Sequence, residues 1–265
     1  MLSNVFLKTL RDQRKTGFFW VAGIVAISAY VMFLYPIIAE DPGLNAFIQD
    51  LPEVFKALFG GVLDYTTANG FLDAQLYTVI APLVLIVYAV VQGVGAIAGE
   101  EERGTLGLLL SNPVPRSKVV LHKAAAMTLG VVVGAFALWC GLLLFAQVND
   151  VSIRVKGLTH GTVSLGLVVL FFGAMSLAVG AATGRRGLSA GLTGGYGVAA
   201  YLLNSFIPLV DWLRPARFIT PFYYYSANDP LVRGLSLSHA LTLVGASLAL
   251  VAFAVWAFER RDLVK

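Results

Sequence analysis

The sequence has few charged residues and almost no cysteine. Asp, Glu, Lys and Arg make up only 13% of its 265 residues, and 58% of the residues are hydrophobic. Soluble domains average about 25% charged residues. So little charge excludes an ordinary soluble domain, because only lipid can cover so much apolar surface. The single cysteine, Cys140, excludes an internal disulfide and is interpreted as a small packing residue.

Charge is also missing from the long apolar runs. A bilayer span needs about 20 apolar residues, and six runs are long enough. The predicted spans are residues 18–39, 77–98, 124–145, 161–183, 187–209 and 240–258. None contains Asp, Glu, Lys or Arg, which disfavours a proton-driven carrier because such carriers usually need ionisable groups within the membrane. A carboxylate at the edge of a span would still serve that role.

The sequence lacks the motifs of a nucleotide-hydrolysing enzyme and of a metal site. It has no G-x-x-x-x-G-K-[ST] loop, and its three histidines have no cysteine or carboxylate at ligand spacing. The segment Gly187-Leu188-Ser189-Ala190-Gly191 matches the G-x-S-x-G motif of hydrolases. It opens an apolar span with no histidine at its depth, and Gly-x-x-x-Gly helix packing explains the same residues. We therefore expect no enzyme, and an intramembrane hydrolase is the weakest alternative.

The distribution of Lys and Arg predicts the orientation of the chain. With both ends on one side, that side carries thirteen of the 19 Lys and Arg residues. They lie before the first span, in residues 99–123, at 185–186 and at the C-terminus. Both termini are therefore predicted to be cytoplasmic in a multi-pass protein of a prokaryotic plasma membrane. The net charge of +4 reflects this bias and does not indicate a nucleic-acid partner.

Short helices are predicted outside the spans of a single all-α domain covering residues 1–265. Leu2, Val5, Phe6 and Leu10 have near-helical spacing beside basic residues, which predicts an interfacial elbow helix before span 1. Asp50 begins an amphipathic pattern that predicts a helix on the outer face before span 2, ended by glycines at 60–61. Prolines and aromatic residues in 210–238 predict short broken helices before span 6.

A polar segment at residues 99–123 separates spans 2 and 3. Four consecutive charged residues begin it at Glu100, and an apolar stretch, Pro113-x-Pro115 and a basic cluster follow. A simple connection needs only a few polar residues and a turn. The pattern predicts a short helix from Glu101 to Leu110 that lies on the membrane face, stopped by proline, and docks a soluble partner. Such a chain would receive force rather than perform chemistry.

The stretch E-E-E-R-G-T-L, followed by L-L-S-N-P-V-P-R and Lys123, resembles the coupling-helix region of permease subunits of type-2 ATP-binding-cassette exporters. The resemblance extends to the basic segment before span 1, the six spans and the Thr220–Tyr224 segment. It implies the membrane-spanning subunit of an ATP-driven exporter, which forms a path as a homodimer. ATP and Mg would be bound by a separate ATPase, with no cofactor in this chain. The residues implied at the ATPase contact are Glu100, Glu101, Glu102, Arg103, Gly104, Thr105 and Leu106.

Polar side chains within the spans are the candidates to line a path. Gln92, Tyr201 and Asn204 are the principal ones, although hydrogen bonding between helices explains them equally well. No residue identifies the cargo. A non-transporting membrane partner of an ATPase, such as a sensor or an assembly subunit, is the main alternative function.

Overall fold

The computed structural model describes residues 5–39, 41, 43, 50–58, 67–111 and 114–262. Within these ranges all regular structure is helical, which confirms the predicted all-α class. Two 3-10 segments, Ile207–Leu209 and Asp211–Ile219, connect the helix that ends at Phe206 to the helix that begins at Pro221. The helices are α1 Val5–Ala39, α2 Glu53–Leu58, α3 Ala68–Ala96, α4 Ala98–Glu102, α5 Thr105–Leu110, α6 Arg116–Val148, α7 Val155–Thr183, α8 Arg186–Phe206, α9 Pro221–Ser226 and α10 Leu237–Arg260.

Five of the described helices, α1, α3, α6, α7 and α10, are long and apolar enough to cross a membrane. They support a multi-pass membrane protein. The predicted fifth span, residues 187–209, corresponds to α8 and the 3-10 turn that follows it. α8 has 21 residues, which gives it a length of about 31 Å at 1.5 Å per residue. Its glycine, serine and threonine residues make it less apolar than the other five helices.

The long helices extend beyond the apolar runs that predicted them. α3 begins at Ala68, where the Oγ1 of Thr67 accepts a hydrogen bond of 3.2 Å from the backbone nitrogen of Gly70. Its second section, Leu72–Ile80, is π-helical and includes Asp73. The predicted span 77–98 contains no carboxylate, but the helix that includes it begins earlier and contains Asp73. An apolar run stops at a charge, whereas a helix tolerates an acidic residue near its N-terminus.

The described N-terminal segment belongs to one uninterrupted helix. α1 has 35 residues and a length of about 52 Å, which exceeds a hydrocarbon core of about 30 Å. No separate elbow helix occurs in residues 5–39, and the basic residues form the first turns of α1 instead. Leu2 lies outside the described residues. A helix was predicted near residue 53 and is present as α2. Its predicted end at Gly60 and Gly61 lies outside the described residues.

α7 lies at the centre of the bundle and packs against α3, α6, α8 and α10. At one end, an apolar cluster joins the start of α1, the end of α3, α5, the start of α6 and the end of α10. We call this the loop end; its members include Val5, Leu106 and Phe258. At the opposite, far end, the hydroxyls of Tyr77 and Thr162 lie 2.6 Å apart. The described ends of the chain therefore lie at the same end of the bundle as residues 98–111.

Candidate functional site

The polar segment after α3 folds as two short helices instead of the single predicted helix. α4 follows α3 after one residue, Ile97, and α5 begins at Thr105. Gly104 lies between them with φ of 69°, a left-handed conformation that favours glycine. The Oγ1 of Thr105 donates a hydrogen bond of 3.1 Å to the carbonyl of Glu100, which bridges the two helices. The chain therefore turns sharply at the loop end.

Burial divides the residues that were implied at an ATPase contact. Glu102, Arg103 and Gly104 are exposed, and Glu101 and Thr105 are half-buried, whereas Glu100 and Leu106 are buried. A partner can therefore reach a polar surface at 102–104, while Glu100 and Leu106 face the protein's own interior.

The apolar side of α5 packs into the bundle. Leu106 and Leu109 are 3% and 7% exposed and belong to the cluster that contains Val119, Val120 and Phe258. Leucines spaced three residues apart lie on the same face of a helix, so both side chains enter the core together. This packing anchors α5 to α6 and α10.

A buried ion pair connects α4 to α6. The Nζ of Lys123 donates to the Oε1 of Glu100 at 2.6 Å, and the two side chains are only 3% and 10% exposed. The interior strengthens their attraction, but each charge loses its hydration on burial. Removal of either member would therefore leave the other charge buried without compensation. The intact pair fixes the position of α4 relative to α6.

A second ion pair joins α4 to the residue that follows α10. The Nη2 of Arg261 contacts the Oε2 of Glu101, and its Nη1 donates a hydrogen bond of 3.0 Å to the carbonyl of Ala181 at the end of α7. Gly184, in the turn between α7 and α8, lies directly against this pair. A Cβ atom there would approach the Glu101 carboxylate to 2.6 Å. Arg261 therefore connects α4 with the ends of α7 and α10.

The third glutamate of the segment faces α8. The Oε2 of Glu102 lies 3.9 Å from the Nη1 of Arg186, with both side chains more than half exposed. Water and salt screen such a pair, so it contributes little to stability.

Arg116 caps the C-terminal end of α10. Its Nη1 donates hydrogen bonds to the carbonyls of Phe258, Glu259 and Arg261 at 3.3, 3.4 and 2.8 Å. These carbonyls lack partners within their own helix, and the positive charge also complements the helix dipole. Sequence reasoning missed this contact and the contacts of Arg261. The partners lie far apart in the chain, and the sequence showed only cations that follow the positive-inside rule.

The structure is a bundle of apolar helices with a folded polar loop at one end. A comparison of the sequence with protein families agrees with this arrangement. A family model described as ABC-2 family transporter protein matches residues 3–263. The chain belongs to the ABC-2 transporter family. No curated protein matches it closely enough to supply a more specific relative.

The polar residues considered for a path lie in two separate places in this ABC-2 family chain. Tyr201 and Asn204 line a cavity of about 390 Å³ at the far end, together with Phe222 and Tyr223. The Tyr201 hydroxyl donates a hydrogen bond to the carbonyl of Leu58, which connects α8 to α2. Gln92 does not line this cavity and is buried in α3. The structure therefore brings together two of the three candidates.

Ser189 of the G-x-S-x-G segment has a structural environment. Its side chain is fully buried, and its Oγ donates a hydrogen bond of 2.6 Å to the carbonyl of Ser176 in α7. The only hydroxyl proton is therefore used in helix packing and is not shared with a base. In the described ranges, no group of three or more His, Cys, Asp or Glu side chains could hold a metal ion.

Proposed function

We propose that this ABC-2 family chain is the membrane-spanning subunit of an ATP-driven exporter that receives force from a separate ATPase. The observation that carries the proposal is the exposed polar surface at residues 102–104, which lies on a loop packed into the ends of the spanning helices. An ATPase that binds this surface can displace several helices at once. ATP and Mg²⁺ belong to that partner in this proposal.

We further propose six spans, with both termini and residues 98–111 in the cytoplasm of a prokaryotic cell. α8 supports the sixth span because it starts at the loop end, where Arg186 faces Glu102, and reaches the far-end cavity at Tyr201. The positive-inside rule supports a cytoplasmic loop end, which is where an ATPase supplied with cellular ATP would bind.

The exposed face of α8 supports a homodimer. Gly187, Gly191 and Gly194 are exposed, and a Cβ atom added to any of them would meet nothing within 4 Å. Small residues on a membrane helix allow another helix to approach closely. We propose that a second copy packs against this face, so that the path forms between the two copies beside the cavity at Tyr201 and Asn204.

Cysteine crosslinking tests the dimer. In a Cys140→Ser background, which leaves no native cysteine, Gly191→Cys should form a disulfide-linked dimer when membranes are oxidised, because two symmetric copies bring the same face together. Leu248→Cys on α10, with 64% exposure, is the matched control and should remain monomeric. Equal crosslinking at both positions would contradict an α8 contact.

Charge reversal tests the docking surface. Arg103→Glu should weaken co-purification of the partner ATPase at least tenfold, because like charges replace complementary ones at the proposed contact. The control is Arg214→Glu, which reverses an arginine that is 67% exposed in the 3-10 segment before α9, and it should leave binding unchanged. Intact binding in Arg103→Glu would show that the surface at 102–104 does not dock the ATPase.

Export itself is measured in inside-out vesicles that contain the chain and the ATPase. The vesicles are supplied with a cytosolic extract, and mass spectrometry compares their contents after incubation with ATP or with ADP. We expect at least one compound to accumulate only with ATP, and its identity would name the cargo. ATPase binding without any accumulation would instead favour a non-transporting sensor or assembly subunit.

A further inference from the structure

An apolar groove of about 330 Å³ lies between α1 and α6, with Tyr88 of α3 in its wall. We call it the α1–α6 groove. Both helices begin at the loop end, so Gln13 and Arg14 line the end of the groove nearer the loop end, while Ile24 lies further along it. The rise from Gln13 to Ile24 is about 16 Å at 1.5 Å per residue. The groove is therefore long and narrow, with a mean cross-section of about 20 Å².

The end of the α1–α6 groove nearer the loop end carries a positive charge that is not compensated. Arg14 is exposed, and it makes no ion pair or hydrogen bond within the described part of the chain. Arg11 and Lys15 are exposed cations beside it, and Asp12 is the only carboxylate in residues 8–15. The predicted span 1 begins at residue 18, about one helical turn after Arg14. Arg14 therefore lies where lipid headgroups meet the hydrocarbon core.

A buried hydroxyl in the wall of the groove also lacks a partner. Tyr88 is only 5% exposed, and its ring lies 5.4 Å from the ring of Trp20, which lines the same groove. Its hydroxyl lies against Gly130, where a Cβ atom would collide with it, and it has no hydrogen-bond partner among the residues described. Gly130 lies within the predicted span 3, where an unpaired hydroxyl costs free energy. A ligand that brings a hydrogen-bond acceptor into the groove would remove that cost.

The dimensions of the groove select a lipid chain over a protein helix. A helix 10 Å across has a cross-section of about 80 Å², roughly four times that of the groove. A single acyl chain is thin and apolar, as the groove is. The phosphate of a phospholipid can pair with a guanidinium, and its ester carbonyls, which lie between the phosphate and the chains, can accept a hydrogen bond. A zwitterionic headgroup adds a cation, which the cluster at 11–15 repels, so an anionic headgroup is favoured.

We infer that the α1–α6 groove binds one anionic phospholipid. Its phosphate pairs with Arg14, an ester carbonyl accepts a hydrogen bond from the Tyr88 hydroxyl, and one acyl chain follows the groove past Ile24. This inference goes beyond the proposed function, since it requires neither an ATPase nor a cargo.

Tryptophan fluorescence tests this site in the full-length chain. Trp20 lines the α1–α6 groove, whereas Trp139 lines a second groove of about 420 Å³ between α6 and α7, which has no charged residue in its lining. Two variants each retain one of these tryptophans, with the other three of the four replaced by phenylalanine. Each is reconstituted in liposomes of phosphatidylcholine and phosphatidylglycerol, with bromine on the acyl chains of one lipid or the other. Bromine quenches a nearby tryptophan, so the two series give the relative affinity of each groove for the two lipids.

We expect the groove at Trp20 to favour phosphatidylglycerol at least threefold and the groove at Trp139 to favour neither lipid, because only the first ends at an uncompensated cation. Arg14→Gln should abolish the preference at Trp20. Arg11→Gln is the matched control: Arg11 is an exposed cation that does not line the groove, and the preference should be at least half retained.

Filling the groove gives a second test that does not alter any charge. Gly17 lines the α1–α6 groove and Gly166 lines the second groove, and a Cβ atom at either would meet nothing within 4 Å. Gly17→Leu should therefore fold and abolish the preference at Trp20, whereas Gly166→Leu should leave it unchanged. Phosphatidylglycerol with ether-linked chains lacks the ester carbonyls, so it should compete at least twofold less well than the ester lipid. That difference should disappear in Tyr88→Phe.

Three results would overturn the inference. The first is the absence of any preference for phosphatidylglycerol at Trp20 in the parent variant. The second is an equal preference at Trp139, which would indicate a general attraction of anionic lipid to a basic protein. The third is a preference at Trp20 that survives both Arg14→Gln and Gly17→Leu, which would place the lipid outside the α1–α6 groove.

Discussion

Lys123→Ala should lower the free energy of unfolding by about 3–5 kcal/mol, because it leaves the buried carboxylate of Glu100 without a compensating charge. The Glu100 Oε2 atom has no hydrogen-bond partner among the described residues, so the contact with Lys123 through Oε1 is the carboxylate's main stabilising interaction. Both side chains are almost completely shielded from solvent, and water cannot replace the lost ammonium group.

The measurement is unfolding in detergent, followed by circular dichroism. Lys118→Ala is the control, because Lys118 is an exposed cation five residues earlier in α6, and surface substitutions usually change stability by less than about 0.5 kcal/mol. The double variant Glu100→Ala with Lys123→Ala removes both charges and should recover most of the loss. A Lys123→Ala variant as stable as Lys118→Ala would show that the pair is not buried in the folded protein.

This ion pair also shows how far sequence reasoning reaches. Lys123 directly precedes the predicted span 3, and the structure places it in the first third of α6, paired with Glu100. Which cation pairs with Glu100 was not predictable, because every cation near the loop end satisfies the positive-inside rule equally well. Leu106 illustrates the same limit: the sequence shows a leucine in the coupling region, but only packing shows that it faces the protein's own core.

The five long apolar helices were predictable because hydrophobic length is a strong signal, whereas their ends were not. Helices continue through residues that interrupt an apolar run, as α3 does through Asp73. α8 presents the opposite difficulty, because its glycines and hydroxyls lower its hydropathy although its length suits a span. Those residues serve packing, as the hydrogen bond from Ser189 to Ser176 shows, and packing partners cannot be read from a local pattern.

The candidate path residues divide for a related reason. Gln92, Tyr201 and Asn204 are similar as polar residues in apolar runs. Which face of its helix each occupies depends on the neighbouring helices, and these place Tyr201 and Asn204 beside the 3-10 segment and α9 while burying Gln92. The sequence therefore indicated which polar residues could line a cavity, but not which of them would line the same one.

Gly93→Ala should destabilise the protein by at least about 1–3 kcal/mol, because α3 and α7 approach too closely there for any side chain. A Cβ atom at Gly93 would lie 2.5 Å from the carbonyl oxygen of Gly173 and would also collide with the Oγ of Ser176. The backbone carbonyl cannot rotate away, so the two helices would have to separate.

Gly95→Ala is the matched control two residues later in the same helix. Nothing lies within 4 Å of a Cβ atom at Gly95, and alanine is favoured over glycine in helices by about 1 kcal/mol. The two substitutions should therefore shift the unfolding midpoint in detergent in opposite directions. Equal shifts would contradict the close contact of α3 with α7. α4 follows α3 after Ile97, so a separation of α3 from α7 should also displace residues 102–104. If these residues dock the proposed ATPase, Gly93→Ala should bind it more weakly than Gly95→Ala does.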